Sequence, residues 1–523
     1  MNCQKTKKKN IEFSIENLIY LFIILCPILD SISFIFRKVF HTFFSPSTVV
    51  RAGIPIFIMI YLFFKAQSKS KIKLIAIGSI YLLYSIIHIL LYKQTLNSYS
   101  YGGIKLELQY IINYTFLIIN LIIFLIVFSK NNDERIKKNL AKSVLLSNTI
   151  YIIILIISIS TGTSSSTYIE GIGQKGWFES GNSIGSIMIT SLFIISTLLK
   201  DRKYKYFVTL ETIAEGIFLT MVLGTRVGLL GFTFGILAIA SIKCIFKIIN
   251  RKKISKNEIK VSEDLSEKVK QDKKGDKSKV LKNILTIGLI IILILVLSNI
   301  IIYFVSKSNA IKRREYLKNI EENIYDKSNK EEAHITGDLL KIKEKIEAGK
   351  IDNTQMSKEE KEAIIELYNS CNKMKVRNND RRIQQLIYNI SLVNKQKNIN
   401  YILFGNGFTS KFYELILEME IPAFLLNFGI IGFVLYFIPF FSILLYGIYL
   451  GIKRKEYIDE EYIILIIGLG FVFVLSFFAG YTFFNSSNMI IIATISTMIV
   501  NKIHNIKLNT MREEKWKRKY YLE

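Results

Sequence analysis

Long apolar segments alternate with short polar segments along almost the whole chain, from Ser14 to Val500. A helix needs about 20 mostly apolar residues to cross a bilayer. The pattern therefore predicts twelve spans, near residues 14–30, 48–64, 72–92, 106–128, 143–161, 183–199, 206–223, 227–247, 283–306, 423–447, 462–480 and 484–501. We predict an all-α, polytopic membrane protein and exclude a soluble enzyme with a single anchor.

Two longer polar stretches divide the chain. Residues 307–420 carry helix signals, such as the capping box Ser357–Glu360 and Asp380 at the start of an amphipathic stretch. In that stretch we predict an apolar stripe, formed by Ile383, Leu386, Ile387, Ile390 and Leu392. We therefore predict three parts: 1–306 with nine spans, 307–420 as an extracytoplasmic helical domain, and 421–523 with three spans and a basic tail. Residues 251–282, rich in Lys and Glu, are expected to form a cytoplasmic linker.

The distribution of basic residues predicts the orientation of the protein. With a cytoplasmic N-terminus, the cytoplasmic segments hold 41 of the 69 Lys and Arg residues, and the short outer segments hold 7. The remaining 21 lie in residues 307–420 beside 18 acidic residues. This bias follows the positive-inside rule, so both termini should be cytoplasmic. The net charge of +27 is thereby explained by membrane topology. Membrane lipids are expected partners, and nucleic acid is not.

Cysteine and histidine spacing gives no sign of metal or redox chemistry. The four cysteines form no CxxC pair, and the four histidines form no HxxxH or HExxH motif. No convincing Asp-x-Asp motif is present either. We expect no cofactor and no metal site.

Arginines at the ends of spans are the first candidates for chemistry, because a charge at membrane depth is costly, by about 2.5 kcal/mol or more. Arg226 lies in the short turn Leu223–Gly228, and Arg51 lies near the outer end of the second span. A guanidinium binds a phosphate with two parallel hydrogen bonds. The alternative for both residues is an interfacial arginine whose side chain reaches the lipid headgroups.

Further candidates follow the polar domain. Arg381 and Arg382 begin its last predicted helix, and a glycine-rich turn, Phe404-Gly-Asn406-Gly, comes next. Glu418 and Glu420 precede Pro422 at the return to the membrane. Carboxylates at such a boundary can act as general bases, or can simply complement the dipole of the next helix. Similarly, surface arginines are often only solvated. Asn182, at the start of the sixth span, is either a sugar-binding amide or an N-cap.

In their order along the chain, these elements resemble the O-antigen ligase and polysaccharide polymerase family of bacterial membrane glycosyltransferases. The resemblance covers about Gly176 to Leu435. It is carried by Gly176–Gly185 (near G-x-F-x-x-x-N-x-x-G), Gly224-Thr-Arg226 with Gly228, Arg381 or Arg382, Phe404–Gly407 and Gly429-Ile-Ile-Gly432.

The resemblance implies a GT-C-like enzyme that transfers a glycan from an undecaprenyl-diphosphate carrier to an acceptor glycan on the outer face of the bacterial cytoplasmic membrane. Arg226, Arg51 and one of Arg381 or Arg382 would hold the diphosphate, and Asn182 and Asn406 would bind substrate. Where ligases carry His-Asn, eleven residues before Gly-x-x-Gly, this chain has Glu418. We therefore expect Glu418 or Glu420 to be the base in a metal-independent, inverting transfer. Other polysaccharide-assembly proteins are possible partners.

Whether the protein is a polymerase or a ligase stays open, because the two differ only in the acceptor. The main alternative is a flippase or transporter of lipid-linked oligosaccharides, which could also have twelve spans and interior arginines. Such a transporter needs no 114-residue outer domain, and the sequence shows no internal repeat. A sensor or scaffold of an envelope machine would leave Arg226 unexplained.

Overall fold

The structure, a computed structural model, describes residues 14–41, 46–95, 103–131, 133–168, 170–263, 306–327, 338–353, 356–376, 380–408 and 415–520. The predicted ninth span, 283–306, lies outside these residues except for its last position. Most of the predicted linker, 251–282, lies outside them as well, and its first part continues the preceding helix to Glu263.

Before residue 264, the described residues form eight long helices and one small hairpin. The helices are α1 (Ile15–Phe40), α2 (Pro46–Lys65), α3 (Ser68–Thr95), α4 (Gly103–Phe128), α5 (Glu134–Ser160), α6 (Gly181–Ser196), α7 (Arg202–Ile217) and α8 (Arg226–Glu263). A 3-10 turn, Thr197–Lys200, follows α6, and a π-helical segment, Phe218–Val222, follows α7. Between α5 and α6, the antiparallel strands β1 (Ser165–Ser166) and β2 (Gln174–Gly176) form the hairpin.

The polar stretch forms helices, as predicted. They are α9 (Asn309–Lys327), α10 (Asp338–Glu347), α11 (Lys358–Met374), α12 (Arg381–Gln396) and α13 (Ile399–Phe404). The return to the membrane consists of α14 (Glu420–Asn427), α15 (Gly429–Tyr436), α16 (Ile438–Lys453), a 3-10 turn at Lys455–Tyr457, α17 (Glu460–Phe478) and α18 (Ser486–Tyr520). We call α9–α13 the loop domain.

Nine of the described helices are long and apolar enough to cross a membrane, and α15 with α16, bent by 55°, could form a tenth span. The predicted span at 206–223 is different. It is a 16-residue helix, α7, that runs directly into the π-helical segment, and α7 by itself is shorter than the 18 residues required of a candidate span. The chain is therefore a multi-pass, all-α membrane protein, and ten of the twelve predicted spans correspond to candidate helices.

Burial separates central helices from peripheral ones. In α6 and α18, 83% and 78% of the apolar window is buried inside the protein. In α2 and α3, only 17% and 11% is buried. Since a bilayer solvates apolar side chains, the exposed faces of α2 and α3 are suited to contact lipid. The helices α4, α5, α6, α17 and α18 pack around one continuous core.

In the loop domain, the sequence signals were only partly correct. The capping box at Ser357 and Glu360 is confirmed. The prediction of an apolar stripe on α12 is wrong in part, because the side chains of Ile383 and Ile390 are 45% and 42% exposed. A polar face is buried instead, since Gln385 Oε1 accepts from the Glu418 amide at 3.1 Å and Asn389 donates to the Leu415 carbonyl. The buried amides of α12 thus hold the segment that leads back to the membrane.

The two glycine motifs near residues 405 and 429 pack against each other. The Asn406 and Gly407 amides donate to the Leu426 and Asn427 carbonyls at 3.0 and 2.9 Å. Gly405 has a φ of +83°, and a Cβ there would lie 2.1 Å from the Asn427 carbonyl oxygen. A side chain at this position would therefore push the turn away from α14 and α15.

We expect Gly405→Ala to lower the free energy of unfolding by about 1–3 kcal/mol, from backbone strain and the collision with Asn427. Thermal unfolding of the purified full-length protein would measure the loss. Gly470→Ala is the matched control, because a Cβ at Gly470 meets no atom within 4 Å. Equal midpoints for the two variants would contradict this packing.

Candidate functional site

The site begins at the π-helical segment Phe218–Val222. Carbonyls at the end of a helix have no partner within the helix and accept hydrogen bonds from elsewhere. Asn309 Nδ2 donates to the Val222 carbonyl at 3.1 Å, and Thr167 Oγ1 donates to the Leu223 carbonyl at 2.7 Å. The start of the loop domain and the loop after α5 are thereby tied to the turn that leads into α8.

Glycines allow these segments to approach closely. Gly173, with a φ of +74°, lies where a Cβ would be 2.4 Å from the Leu223 carbonyl oxygen. A Cβ at Gly224 would be 3.1 Å from Asn309 Cβ. The contacts explain why a glycine-rich sequence precedes Arg226.

Three arginines from different segments act electrostatically on Tyr168. Arg313, one helical turn after Asn309, places its guanidinium carbon 3.4 Å from the centre of the Tyr168 ring. Burial raises the pKa of the Tyr168 hydroxyl, and the positive charges of Arg313, Arg382 and Arg226 oppose that rise in pKa. The charges of all three arginines thus act on this tyrosine, and Arg313 is in direct contact with its ring. We call Arg226, Arg313 and Arg382 the arginine cluster.

Arg226, the first residue of α8, is exposed. Its neighbour Thr225 caps the helix, with Oγ1 accepting from the Gly228 amide at 3.0 Å. Among the described residues, Arg226 has no ion pair and no hydrogen-bonded partner. Its charge is thus available to a ligand.

Arg382 joins the cluster to Glu418. Its guanidinium donates to the Phe478 carbonyl and, at 3.2 Å, to the Ala479 carbonyl, at the C-terminal end of α17. Arg382 Nε lies 3.6 Å from Glu418 Oε2, and both side chains are about two-fifths exposed, at 39% and 41%. This pair lies at an accessible surface. Arg381 is also exposed, and it has no ion pair within the described part of the chain.

Asn182 adjoins the same region. The N-cap of α6 is Ser180, whose hydroxyl accepts from the Ser183 amide. Asn182 is therefore not the cap, and its half-buried amide stays available. A Cβ at the preceding Gly181 would lie 2.7 Å from Thr167 and 3.0 Å from Thr225. Asn182 thus follows a residue packed between the neighbours of Tyr168 and Arg226.

Arg51 belongs to a different cluster. Its Nη2 lies 2.5 Å from Asp30 Oδ1, and Tyr151 donates to the other Asp30 oxygen. The side chains of Arg51 and Asp30 are only 16% and 13% exposed. Because Asp30 compensates its charge inside the protein, Arg51 is poorly suited to bind a diphosphate, contrary to the prediction.

The two predicted carboxylates have different surroundings. Glu420 is 3% exposed, and its oxygens accept from the Phe483 and Phe484 amides, each at 2.8 Å. These bonds tie the start of α14 to the turn between α17 and α18. A carboxylate so enclosed cannot reach a substrate, so the structure argues against Glu420 as the base. Glu418 is exposed and faces Arg382.

Asn406 lies in a buried turn held by a second carboxylate. Glu107, on α4, is 0% exposed and accepts from the Phe408 amide at 2.7 Å, and His88 bridges it to the Phe404 carbonyl. The Asn406 side chain is 9% exposed and has no hydrogen-bond partner in the described part of the chain. Direct substrate contact by Asn406, as predicted, would require the turn to open.

Sequence reasoning missed Arg313 and Tyr168. Arg313 lies in the run Lys312-Arg-Arg-Glu315, which reads as a solvated charged helix, and Tyr168 is an ordinary loop aromatic in the sequence. It also missed Asp30, whose position in the first span was the only sign of an internal partner for Arg51. The site offers three arginines with two partly exposed carboxylates beside them, Glu418 next to Arg382 and Glu170, whose Oε2 lies 3.9 Å from Arg313 Nε. The excess of positive charge suits an anionic substrate.

By its fold, the chain is a multi-pass membrane protein, and the arginine cluster lies at its loop domain. A family model described as O-antigen ligase like membrane protein matches residues 12–505. The chain therefore belongs to that family, which comprises membrane enzymes of polysaccharide assembly with glycosyltransferase-type activity and a lipid-linked glycan substrate. No curated protein and no solved structure matches the chain.

Inorganic pyrophosphate is expected to raise the thermal midpoint of the purified protein, because ligand binding stabilises the folded state. Arg226→Ala and Arg313→Ala should each weaken the apparent affinity about tenfold or more, the contribution of a charged hydrogen bond. Arg314→Ala is the matched control, an exposed neighbour of Arg313. The cluster would be ruled out as the site if Arg314→Ala weakened binding as much as Arg313→Ala.

Proposed function

We propose that the protein is a polymerase or ligase of a cell-surface polysaccharide. It transfers a glycan from an undecaprenyl-diphosphate carrier to a sugar hydroxyl of an acceptor glycan. The observation that carries this proposal is the arginine cluster around the turn before α8: Arg313 contacts the Tyr168 ring, the charges of Arg226 and Arg382 also act on Tyr168, and Glu418 lies beside Arg382. Family membership supports a lipid-linked glycan as the substrate.

The reaction takes place on the outer face of the bacterial cytoplasmic membrane. Placement of the loop domain on that face follows from the basic residues, 41 of which would be cytoplasmic and 7 on the short outer segments. Both termini are then cytoplasmic. The arginine cluster lies where α9 of the loop domain meets the turn before α8, with Arg382 of α12 bonded to the C-terminal end of α17. A carrier held in the outer leaflet could present its diphosphate there.

Transfer requires two kinds of assistance. The bond between the anomeric carbon and the diphosphate oxygen breaks, and negative charge develops on the leaving diphosphate. Arg226 and Arg313 stabilise that charge, together with the face of Arg382 not bonded to the α17 carbonyls. No nucleotide is needed, and arginines supply the positive charge that metal ions supply in other transferases.

Glu418 is the base in this proposal. It accepts the proton of the acceptor hydroxyl while that oxygen forms its bond to the anomeric carbon. Attack opposite the leaving diphosphate inverts the anomeric centre. The sugar must therefore lie between Glu418 and the phosphates, so the 3.6 Å contact between Glu418 and Arg382 has to open when the donor binds. Phosphate then replaces the carboxylate as the partner of Arg382.

The remaining predicted residues take supporting roles. Asn182 is proposed to bind the sugar, since its amide is available near the arginine cluster. Arg51 and Glu420 stabilise the helices that they join, and Asn406 belongs to the turn that packs on α14 and α15. Glu418 in place of the ligase histidine disfavours a close lipopolysaccharide ligase and favours an acceptor such as a capsule chain.

Purified protein in nanodiscs should extend or transfer a lipid-linked oligosaccharide when an acceptor is supplied. Glu418→Gln is expected to lower kcat by about 10²–10⁴-fold, because the base is lost. Glu418→His should retain more activity than Glu418→Gln, with a pH dependence characteristic of an imidazole. Glu344→Gln, an exposed change in the loop domain, is the control for both variants.

The same preparation separates the enzyme from a flippase. Chain growth or glycan transfer supports the proposal, whereas exchange of the carrier between leaflets without any new glycosidic bond would establish the transporter instead. Full transfer activity in Glu418→Gln would exclude this residue as the base.

A further inference from the structure

Two carboxylates lie inside the helix bundle, away from the arginine cluster. Glu211 and Glu215 are four residues apart on α7 and are 6% and 1% exposed. On the other side of the helix, Leu210, Ile213 and Ile217 are more than half exposed, as expected of side chains that face lipid. With a rise of about 1.5 Å per residue, the carboxylates lie about 14 and 20 Å along the helix from Arg202.

Asn148 of α5 connects the two carboxylates. Its Nδ2 donates to Glu215 Oε2 at 2.8 Å. Glu211 interacts with Asn148 and Thr149, and the two carboxylates repel each other electrostatically. Four oxygen atoms of this group are buried without a hydrogen-bond partner in the described chain, namely Glu211 Oε1 and Oε2, Glu215 Oε1 and Asn148 Oδ1.

The charged groups on the neighbouring elements are engaged elsewhere. On α5, Lys137 pairs with Glu134, Lys138 pairs with Asp201, and Lys142 lies over the Tyr204 ring. On α8, Lys243 pairs with Glu460. Of the other titratable side chains on the packed elements, Tyr151 donates to Asp30, and Lys247 of α8 acts on neither carboxylate. The rest lie near helix ends, namely Lys200, Arg202, Lys203, Lys205 and Arg226. Among the described residues, no cation contributes to the electrostatics of either carboxylate.

A buried pair of uncompensated carboxylates is strongly unfavourable, because burial removes the water that stabilises the charges. Such groups persist in proteins when they bind a cation or take up a proton. Ca²⁺ usually requires six to eight oxygen ligands, and Mg²⁺ usually retains several waters. The four free oxygens here are too few to coordinate Ca²⁺, and the buried position disfavours Mg²⁺ with its bound waters.

We propose that Glu211, Glu215 and Asn148 form a binding site for a small monovalent cation, a sodium ion or a proton. The free amide oxygen of Asn148 and the three free carboxylate oxygens supply its ligands. Occupation of this site neutralises the repulsion between the carboxylates and fixes α7 against α5.

The proposed cation site lies next to the π-helical segment that leads to Arg226. The π-helical segment begins three residues after Glu215 and ends four residues before Arg226. A π-helical bulge is frequently found next to a functional site, because it loosens the regular helical hydrogen bonds. Stabilising α7 therefore also stabilises the segment whose terminal carbonyls bind Asn309 and Thr167. The cation site itself does not depend on the proposed transferase activity.

The test compares thermal unfolding of the full-length protein in nanodiscs in sodium, potassium and choline chloride at equal ionic strength, with EDTA present. For a sodium site, the midpoint should be about 2–4 °C or more higher in sodium than in choline. For a proton site, the midpoint should rise as the pH falls from about 8 to about 6, whichever salt is present. The double variant Glu211→Gln/Glu215→Gln should lose either response.

The double variant should also be at least as stable as the wild type in choline at high pH, since its amides carry no charge. Glu211→Gln alone serves the same comparison if the double variant does not fold. Glu344→Gln in the loop domain is the control and should respond as the wild type does. Identical responses of the wild type and the double variant to sodium and to pH would overturn the proposal.

Discussion

The arrangement of the site depends on two hydrogen bonds to backbone carbonyls where the π-helical segment ends. Asn309 and Thr167 satisfy the carbonyls of Val222 and Leu223. Because Arg313 lies one turn after Asn309 and Tyr168 directly follows Thr167, these two hydrogen bonds also determine where the cation and the aromatic ring meet. The helix end therefore brings the loop domain, the loop after α5 and Arg226 together.

Charge compensation distinguishes the structural ionisable residues from the functional ones. Arg51 is paired with Asp30, Glu107 with His88, and Glu420 with two backbone amides, so each of these groups already has a partner within the protein. Arg226 has no such partner among the described residues, and the contact between Arg382 and Glu418 is partly exposed. These incompletely compensated groups can bind a substrate without the large free-energy cost of breaking a buried ion pair.

The sequence predicted the fold class well, because membrane-spanning length is a strong signal that tertiary contacts do not alter. At residues 206–223 it did not anticipate that the helix changes from α to π at Phe218, and this span stays a prediction. The stripe on α12 failed because buried amides of Gln385 and Asn389 bind the backbone near Glu418. Hydropathy cannot anticipate such bonds.

Arg226, Arg382 and Glu418 could be identified from their positions in the chain and from the family resemblance. Arg313 could not, since a charged residue in a charged helix gives no local sign of a long-range contact. The same limit applied to Arg51, whose partner Asp30 lies 21 residues away on another helix.

The most direct measurement is an experimental structure of the protein in a lipid bilayer with an undecaprenyl-diphosphate-linked glycan bound. The account predicts that the two phosphates lie within hydrogen-bonding distance of Arg226 and Arg313, beside the loop domain, with the sugar next to Glu418. Phosphates bound against Arg51 and Asp30, or on the side of the bundle opposite the loop domain, would contradict it.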